Sequence, residues 1–445
     1  MIKKLFFIIF LLFSTNCFAE IIITDFNQDV EITDFGRKVT IDIKAKIKLE
    51  SKNYYINGWS YIFSKNQKVE ISEAKVVGRK YKSSFGDNQL KFEFEKATNG
   101  DTIEVVFKYV EFNDNIQEYS RVDYVMMPEF AKNANGVLNL VIPDNYIVYS
   151  TNPSFKRNYN TYTWKGKIPE KGLSDFFYLT FKKAKWKAEV LTEIIGKENF
   201  TKMDIKIPLY FKNLNNKIEN YNITTNFDDY FANIKEDDKN IVINLNNINS
   251  SIAQVKIDTT LEIDLTSNNW MELDTNRYLN IDRTLGLELN NIISRVRQDN
   301  KNQEPIYIAL AKFVHDYIVY DKSYYGKQMT TKEILKTGNG VCAHYSQLYN
   351  DLLRTAGIPS VMVLGMSYDP ENKKFESHSW NLVYANGNWV SIDPTLGFYS
   401  GILPISHIAF YLDNVDAIKY TVYNSSISDF KSDIKRNISF LGELK

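Results

Sequence analysis

The chain has 445 residues, 44% of them hydrophobic and 24% charged, so it is long enough for roughly two to four domains and apolar enough to bury their cores. Its 54 basic residues balance its 54 acidic residues, which argues against a dedicated nucleic-acid-binding protein. The first predicted element is a signal peptide over residues 1–19. Lys3 and Lys4 precede an apolar run, Leu5 to Phe13, that is too short to span a bilayer, and Cys17-Phe18-Ala19 gives a small-x-small cleavage pattern.

The signal peptide predicts an exported protein, periplasmic or secreted. No later stretch reaches the ~18 apolar residues of a membrane helix, so no membrane span is expected in the mature chain. An uncleaved anchor helix and a lipid on Cys17 are the alternatives. The sequence has 2 cysteines, Cys17 and Cys342. Since Cys17 lies in the signal peptide, the mature chain keeps one thiol, which excludes an intramolecular disulfide and a multi-cysteine zinc site.

The N-terminal half has the pattern of β structure. From Val39 to Leu49, apolar and polar residues alternate without a break, which is the period of a half-buried strand. Short apolar runs separated by polar turns predict a β-sandwich-like domain over residues 20–185, with strands at 69–71, 90–94, 103–112 and 137–142. A second β region is predicted over residues 186–268, with strands at 205–211, 241–245 and 255–265.

Helical periodicity replaces this alternation in the last predicted domain, residues 269–445. Helices are expected at 285–296, 305–318, 331–335 and 341–355. The apolar side of the second helix is predicted to hold Ile308, Ala309, Phe313, Val314 and Ile318. Strands are expected at 360–366, 379–385 and 389–392, the last two joined by an Asn386-Gly387 hairpin turn. Helices followed by a sheet indicate an α+β domain.

Cys342 is the first candidate for chemistry. It follows Gly338-Asn339-Gly340-Val341 and falls in the first turn of the helix predicted at 341–355. There the unpaired N–H groups and the positive end of the helix dipole favour an anion, which lowers the pKa of a thiol and can stabilise an oxyanion. A small buried thiol packed at a helix start is the alternative interpretation.

A thiolate nucleophile needs an imidazole partner, and the sequence offers 4 histidines. His344 lies two residues from Cys342 on the same helix and therefore faces another direction. His315 lies in a helix where a solvated or packed ring is expected, and His407 lies in the C-terminal segment without an evident site. His378 opens the strand after the cysteine helix and is the preferred base.

Asp393 is the candidate that would orient His378. It closes the strand on the far side of the Asn386-Gly387 hairpin, and counting back from the turn brings it to within about one residue pair of His378. An Asp-Pro turn opener is the alternative for this residue. Helix, strand and strand in this order predict a catalytic triad of Cys342, His378 and Asp393.

Four blocks of the sequence resemble the transglutaminase-like superfamily in order and spacing. They are Gly-Val-Cys-Ala-His-Tyr-Ser at 340–346, Ala-Gly-Ile-Pro at 356–359, Ser-His-Ser-Trp at 377–380 and Gly-Asn-Trp-Val-Ser-Ile-Asp-Pro-Thr at 387–395. The resemblance implies a papain-like domain in which Cys342 is the nucleophile, His378 the base and Asp393 the residue that orients His378. No calcium loop is recognisable, and no cofactor or metal is expected.

Two further features bear on the resemblance. Residues 59–77 are similar to a bacterial β-sandwich domain of unknown function that often precedes such cores. In authentic transglutaminases an upstream aromatic side chain helps to form the oxyanion hole, and Tyr320 and Tyr325 are the candidates for it here. His344 stands where the family often has an acidic residue.

The leading hypothesis is an exported thiol acyl-transfer enzyme, a protease, amidase or transglutaminase type, that acts on protein or peptide substrates such as cell-wall peptide. The alternative is a non-catalytic transglutaminase-like scaffold or binding module for cell-envelope partners, which the size of the β half favours. The complete triad, in a mature chain with no other cysteine, favours the enzyme. No nucleic-acid partner is expected.

Overall fold

In the computed structural model the described residues are 19–33, 35–50, 54–64, 67–112, 120–150, 155–208, 216–228, 232–236, 240–266, 273–279, 285–301, 303–369, 372–412, 419–423 and 429–443. The chain divides into two compact units, Met1–Thr180 and Phe181–Lys445, which we call the N-terminal unit and the C-terminal unit. Apart from Ala19, the predicted signal peptide lies outside the described residues. Within those residues, no helix combines the length and the apolarity needed to cross a membrane.

The N-terminal unit is built of β-strands. They are β1 (Ala19–Thr33), β2 (Gly36–Leu49), β3 (Ile56–Ile62), β4 (Lys68–Val76), β5 (Tyr81–Gly86), β6 (Gln89–Ala97), β7 (Thr102–Phe112), β8 (Ser120–Met127), β9 (Asn135–Val141), β10 (Tyr146–Ser150), β11 (Lys156–Asn158), β12 (Thr161–Lys167) and β13 (Leu173–Phe181). They form a seven-stranded sheet in the order β11-β12-β9-β1-β2-β7-β4 and two three-stranded sheets, β3-β6-β5 and β10-β13-β8. A 3₁₀ helix, Glu129–Ala131, precedes β9.

The alternation in the sequence explains the core of this unit. One face of β2 is buried throughout, and its apolar residues are Val39, Ile41, Ile43, Ala45, Ile47 and Leu49. Aromatic rings of β3 and β7 pack together, with Tyr61 and Phe107 at a centroid distance of 4.8 Å. The predicted all-β character of the N-terminal region is confirmed.

The C-terminal unit begins with a sheet of long strands. Its members are β14 (Lys183–Pro208), β15 (Asn216–Thr225), β16 (Ala232–Glu236) and β17 (Asn240–Asp264), joined by β25 (Lys419–Tyr423) and β26 (Phe430–Glu443). The order is β15-β17-β14-β25, with β16 on β17 and β26 on β14. The segments predicted as strands at 241–245 and 255–265 are confirmed as β structure to within one residue, but they belong to one continuous strand, β17. The polar stretch between them does not end the strand: Asn247 adopts φ 57° there, and pairing with β14 continues on both sides after register shifts.

Strands β25 and β26, which follow the α+β part in the sequence, belong to this sheet. Residues 184–196 of β14 pair with β26, and Trp186 packs edge-on against Phe375 at 5.4 Å. The segment 269–445 and the region 186–268 therefore share a sheet. The domain boundaries 185/186 and 268/269 stay predictions.

The α+β part of this unit lies between β17 and β25. Its helices are α1 (Gly286–Asp299), α2 (Ile306–Tyr317), α3 (Thr331–Thr337) and α4 (Cys342–Thr355), with 3₁₀ turns at Arg277–Leu279 and Lys322–Tyr324. Its strands are β18 (Val319–Tyr320), β19 (Asn339–Gly340), β20 (Ser360–Asp369), β21 (Lys374–Ala385), β22 (Asn388–Asp393), β23 (Phe398–Gly401) and β24 (Ile408–Leu412). A five-stranded sheet has the order β23-β22-β21-β20-β24, and β18 pairs with β19.

Helix α4 is the centre of this part. Its side chains are buried on most of its circumference, against α1, α2, α3 and the sheet. The buried residues of α2 and its C-cap are Leu310, Ala311, Val314 and Ile318. The prediction is confirmed for Val314 and Ile318, whereas Ile308, Ala309 and Phe313 are half-buried.

Local signals position the start of α4. Thr330 and Glu333 form a capping box at the start of α3, so this short helix has a defined beginning. Gly338 ends α3 in the left-handed conformation at φ 62°, where a glycine has no steric penalty. The chain then turns through β19 directly into Cys342.

Candidate active site

The β21–β22 hairpin sets the relation between the predicted base and its carboxylate. Asn386 and Gly387 both have positive φ, 53° and 81°, as a type I′ turn requires. In the register that follows, Asn381 pairs with Ile392, so the next position brings Asp393 opposite Trp380. His378 lies two residues before Trp380 on the same face of β21. It is thus a diagonal neighbour of Asp393, within reach of a long side chain.

His378 and Asp393 form a buried hydrogen-bonded pair. The His378 Nε2 atom lies 2.6 Å from Asp393 Oδ2, and the two residues are 8% and 0% exposed. The other oxygen, Oδ1, accepts the backbone N–H groups of Thr395 and Leu396 at 2.9 and 3.1 Å. Burial raises the pKa of Asp393, but the charge and hydrogen bond of His378 outweigh it and hold that pKa well below its ordinary value.

Cys342 is the first residue of α4 and is buried, 6% exposed. Its sulfur interacts with the His378 ring and accepts the backbone N–H of Ser379. Because Nε2 of His378 faces Asp393, Nδ1 is the ring nitrogen left for the thiol. Burial raises the pKa of Cys342, yet the hydrogen bond and charge of His378, helped by the Ser379 N–H, bring it below its ordinary value.

The imidazole of His378 lies between these two groups, and its pKa is strongly shifted. Burial lowers the pKa of His378, but Asp393 and Cys342 on its two sides raise it to about 10. At neutral pH His378 is therefore an imidazolium and Cys342 tends toward the thiolate. The structure thus brings the three predicted residues together in the order Cys342, His378, Asp393, and their catalytic roles stay predictions.

His344 has a structural position beside the thiol. Its Nδ1 accepts the backbone N–H of Val341 at 2.9 Å, and its Nε2 donates to the Lys327 carbonyl at 3.0 Å. The ring reaches back to the N-cap of α4 as the acid of a capping box does. Gly340 makes room for it, since a Cβ at that position would lie 2.7 Å from the His344 Cβ.

Tyr320 lies on the short strand beside the start of α4. Strand β18 runs parallel to β19 with Tyr320 opposite Gly340, two residues before Cys342. Burial and a hydrogen bond with Tyr325 raise the pKa of Tyr320, and the negative charge of Cys342 raises it further. The Tyr320 and Tyr325 hydroxyls are 2.8 Å apart. Tyr325 thus reaches the site through Tyr320.

Comparison with known proteins identifies the family that this part of the chain resembles. Residues 290–394 match the family model of the transglutaminase-like superfamily. The chain carries a transglutaminase-like domain. The predicted fold class, an N-terminal all-β region followed by this α+β domain, is confirmed.

Several solved structures are distantly similar to the chain. A proposed cysteine protease from Cytophaga hutchinsonii is 13% identical with a TM-score of 0.40, and the match covers 58% of this chain and 91% of that one. A proposed nutrient-binding protein from Legionella pneumophila is 9% identical with a TM-score of 0.26, covering 36% and 67%. An M1 zinc metallopeptidase from Deinococcus radiodurans is 8% identical with a TM-score of 0.25, covering 41% and 44%. The search of curated proteins found no match.

The transglutaminase-like domain has one more residue at its site than the sequence indicated. His407 immediately precedes β24, and its Nε2 lies 3.2 Å from Asp393 Oδ2. The expectation that His407 has no site is wrong. Its neighbours in the sequence, Ile405 and Ile408, are completely buried. A histidine between core residues was the available signal. His315 instead contacts the Pro394 carbonyl through Nδ1 at 2.9 Å.

His378, Asp393 and His407 are the described residues whose atoms approach closely enough, within 4.8 Å, to share a metal ion. A cation would need the Nε2 lone pairs of both histidines, the same atoms that carry the protons of the hydrogen bonds to Asp393. A metal and the proton chemistry of a triad therefore exclude each other at this cluster. The short His378–Asp393 hydrogen bond accounts for the arrangement of these residues.

Proposed function

We propose that this protein is an exported thiol acyl-transfer enzyme that cleaves or transfers amide or peptide bonds through a thioester on Cys342. The observation that carries the proposal is the buried His378–Asp393 pair beside a thiol at a helix start. Opposite pKa shifts on Cys342 and His378 are what a nucleophile and its acid–base partner need.

Acylation follows from the positions of these groups. The Cys342 thiolate attacks the amide carbonyl and a C–S bond forms, giving a tetrahedral oxyanion. The proton on His378 Nδ1 moves to the amine nitrogen and the C–N bond breaks. The amine is released, and the acyl group remains on Cys342 as a thioester. Asp393 keeps its charge throughout and holds the Nε2–H of the imidazole.

Deacylation decides between hydrolysis and transfer. The neutral His378 accepts a proton from a water molecule, whose oxygen attacks the thioester and releases a carboxylic acid and the Cys342 thiolate. An amine in place of water gives a new amide. A peptide substrate, such as cell-wall peptide, suits the exported location that residues 1–19 predict; N-terminal sequencing of the exported chain tests the cleavage.

Tyr320 is our candidate for the oxyanion donor, because its strand pairs with Gly340, two residues before Cys342, and the charge of Cys342 acts on its phenol. Replacing the hydroxyl should destabilise the tetrahedral intermediate and leave the thiolate intact. Tyr320→Phe is expected to lower turnover of an amide substrate by about 10²-fold, the usual loss for one oxyanion donor, with unchanged alkylation of Cys342. Equal losses in turnover and alkylation would place Tyr320 in support of the thiolate instead.

The deciding experiment needs no substrate. The rate of alkylation of Cys342 by iodoacetamide is measured against pH in the wild type and in His378→Ala, with Cys342→Ser to show that the label is on this thiol. A thiol of pKa about 8.5 is only ~3% ionised at pH 7, so the wild type should react about 30-fold faster than His378→Ala at that pH.

Each outcome of the alkylation experiment is decisive. A thiolate that titrates well below 8.5 in the wild type, with the shift lost in His378→Ala, supports the Cys–His pair and justifies a survey of peptide amides. An ordinary or raised pKa of the Cys342 thiol, unchanged in His378→Ala, contradicts the proposal that the protein is a thiol acyl-transfer enzyme. The non-catalytic scaffold would then be the better description.

A further inference from the structure

One oxygen of Asp393 faces two imidazole rings. Oδ2 lies 2.6 Å from His378 Nε2 and 3.2 Å from His407 Nε2, and the two rings are edge to face at 5.6 Å. A triad requires one imidazole on its carboxylate. The second ring is held there by its surroundings, since it packs against Trp380 at 5.2 Å and Phe398 at 6.2 Å.

The contacts of His407 fix where its proton lies. An ionised carboxylate can only accept hydrogen bonds, so Nε2 of His407 must carry a hydrogen in order to donate to Oδ2 of Asp393. Its Nδ1 is buried and has no hydrogen-bond partner among the residues that the structure describes. If His407 were also protonated to a cation, its Nδ1–H would have no partner among the described residues, and the two imidazolium ions would share the single Asp393 carboxylate. The pKa of His407 is lowered by burial, in keeping with a neutral ring that donates from Nε2.

We propose that His407 is a positioning residue that keeps the Asp393 carboxylate charged and in place when His378 gives its proton to the leaving amine. The inference rests on the proposed function. While His378 is an imidazolium, its charge compensates the buried carboxylate. After the proton has moved from His378 Nδ1 to the amine nitrogen, that compensation is gone.

The donors that then remain on Asp393 are the Nε2–H of neutral His378, the backbone N–H groups of Thr395 and Leu396, and the Nε2–H of His407. No proton leaves Asp393 or His407 in this step. A donor on a buried carboxylate matters most when the neighbouring positive charge has disappeared. His407 thus lowers the free energy of the state with neutral His378 relative to the state with imidazolium, and makes His378 a better acid.

This reasoning gives the direction of a measurable effect. Without the His407 donor, the imidazolium should hold its proton more tightly. His407→Phe keeps a ring of similar size and removes the donor, and we expect it to raise the pKa of His378 by about one pH unit. His407→Gln keeps an N–H and should return the value toward that of the wild type. Among the residues that the structure describes, Cys342 on α4, Asp393 on β22 and His407 before β24 are titratable groups that face His378, while β20 places Gly365 beside it.

The experiment is an NMR titration of imidazole signals in protein labelled with ¹³C and ¹⁵N at histidine. The sequence has 4 histidines, so the signals can be assigned by single substitutions. His378 is followed from pH 5 to pH 12 in the wild type, His407→Phe and His407→Gln. An upward shift in His407→Phe that His407→Gln reverses supports the proposal. An unchanged or lowered pKa in His407→Phe, or a glutamine variant that behaves like phenylalanine, overturns it.

If the His407→Phe variant does not fold, a second measurement on the wild type still tests the proposal. The ¹⁵N shifts should show His407 neutral at pH 7 with its proton on Nε2, and a cation or a proton on Nδ1 would overturn the proposal. Failure of the proposed function looks different, because His378 would then titrate near 6.5 and Cys342 would have an ordinary thiol pKa in the wild type. A His378 pKa near 10 in both the wild type and His407→Phe contradicts the role of His407 alone.

Discussion

Each unit of the molecule holds a buried ion pair between adjacent strands. In the N-terminal unit, Arg37 on β2 lies opposite Glu111 on β7, and its Nε and a terminal nitrogen donate to one Glu111 oxygen at 3.0 and 2.7 Å. In the C-terminal unit, His378 on β21 donates to Asp393 on β22 at 2.6 Å. Both pairs are largely shielded from water.

The two pairs differ in whether the cation can release its proton. An arginine stays charged at every pH at which a protein is folded, so Arg37 cannot give up a proton to a neighbouring group. A histidine can lose its proton, and His378 has the Cys342 thiol on its other side. Burial alone therefore gives a structural contact, whereas burial of a titratable cation between a carboxylate and a thiol gives an arrangement in which a proton can move.

The largest effect on stability should come from the N-terminal pair. Glu111→Leu leaves the Arg37 charge buried without this partner, and breaking such a pair costs about 3–5 kcal/mol in the free energy of unfolding. Urea unfolding followed by tryptophan fluorescence measures it. The double variant Arg37→Met, Glu111→Leu removes both charges and should recover most of the loss, while alkylation of Cys342 stays at the wild-type rate in both. A loss of alkylation would contradict the structural role assigned to this pair.

The equivalent change in the C-terminal pair should affect reactivity more than folding. Asp393→Asn removes the negative charge that raises the pKa of His378, so the imidazolium no longer stabilises the thiolate at neutral pH. We expect alkylation of Cys342 at pH 7 to slow by about tenfold, because a neutral His378 can still accept a hydrogen bond from the thiol. Wild-type alkylation kinetics in Asp393→Asn would show that the carboxylate does not act on the thiol.

The pairs should also differ in how stability depends on pH. The folded-state pKa of Asp393 is lowered, so its contribution is present above the unfolded value of about 4 and is lost only as the pH falls through the lower folded value. The pKa of His378 is raised to about 10, so its contribution is complete below the unfolded value of about 6.5 and is lost as the pH rises toward 10. The stability difference between the wild type and Asp393→Asn should therefore shrink by at least ~1 kcal/mol from pH 6.5 to pH 10. The difference for Glu111→Leu should stay constant over this range; parallel pH profiles for the two variants would contradict the distinction.

The sequence could predict that Cys342, His378 and Asp393 come together because the geometry that joins them is local. The Asn386-Gly387 turn sets the register that brings His378 diagonal to Asp393, and the glycines before Cys342 indicate a helix start. His407 could not be found in this way. Its position depends on β24 pairing with β20 at the far edge of the sheet, an order that no local pattern encodes.

The length of the strands was missed for a similar reason. A polar stretch around Asn247 has the composition of a turn, and pairing with β14 carries β17 through it. The four predicted helices, which depend on local periodicity, agree with the structure to within three residues at each end. The strands predicted at 69–71 and 379–385 each extend five residues further at one end in the structure. Contacts between distant parts of the chain account for the remainder.

The smallest predicted effect concerns the cap under the thiol. In Gly340→Ala the new Cβ would lie 2.7 Å from the His344 Cβ and 2.9 Å from its Nδ1, so the ring must move away from the Val341 N–H. Loss of this cap should cost about 1 kcal/mol of unfolding free energy, and alkylation of Cys342 should slow by less than in Asp393→Asn. Gly286→Ala is the matched control, because it lies at the start of α1 and a Cβ there meets nothing within 4 Å. If the two alanine variants unfold at the same urea concentration and react at the same rate, His344 does not cap α4. If Gly340→Ala alone loses stability and keeps most of its reactivity, the helix start holds the thiol in place while the His378–Asp393 pair sets its ionisation.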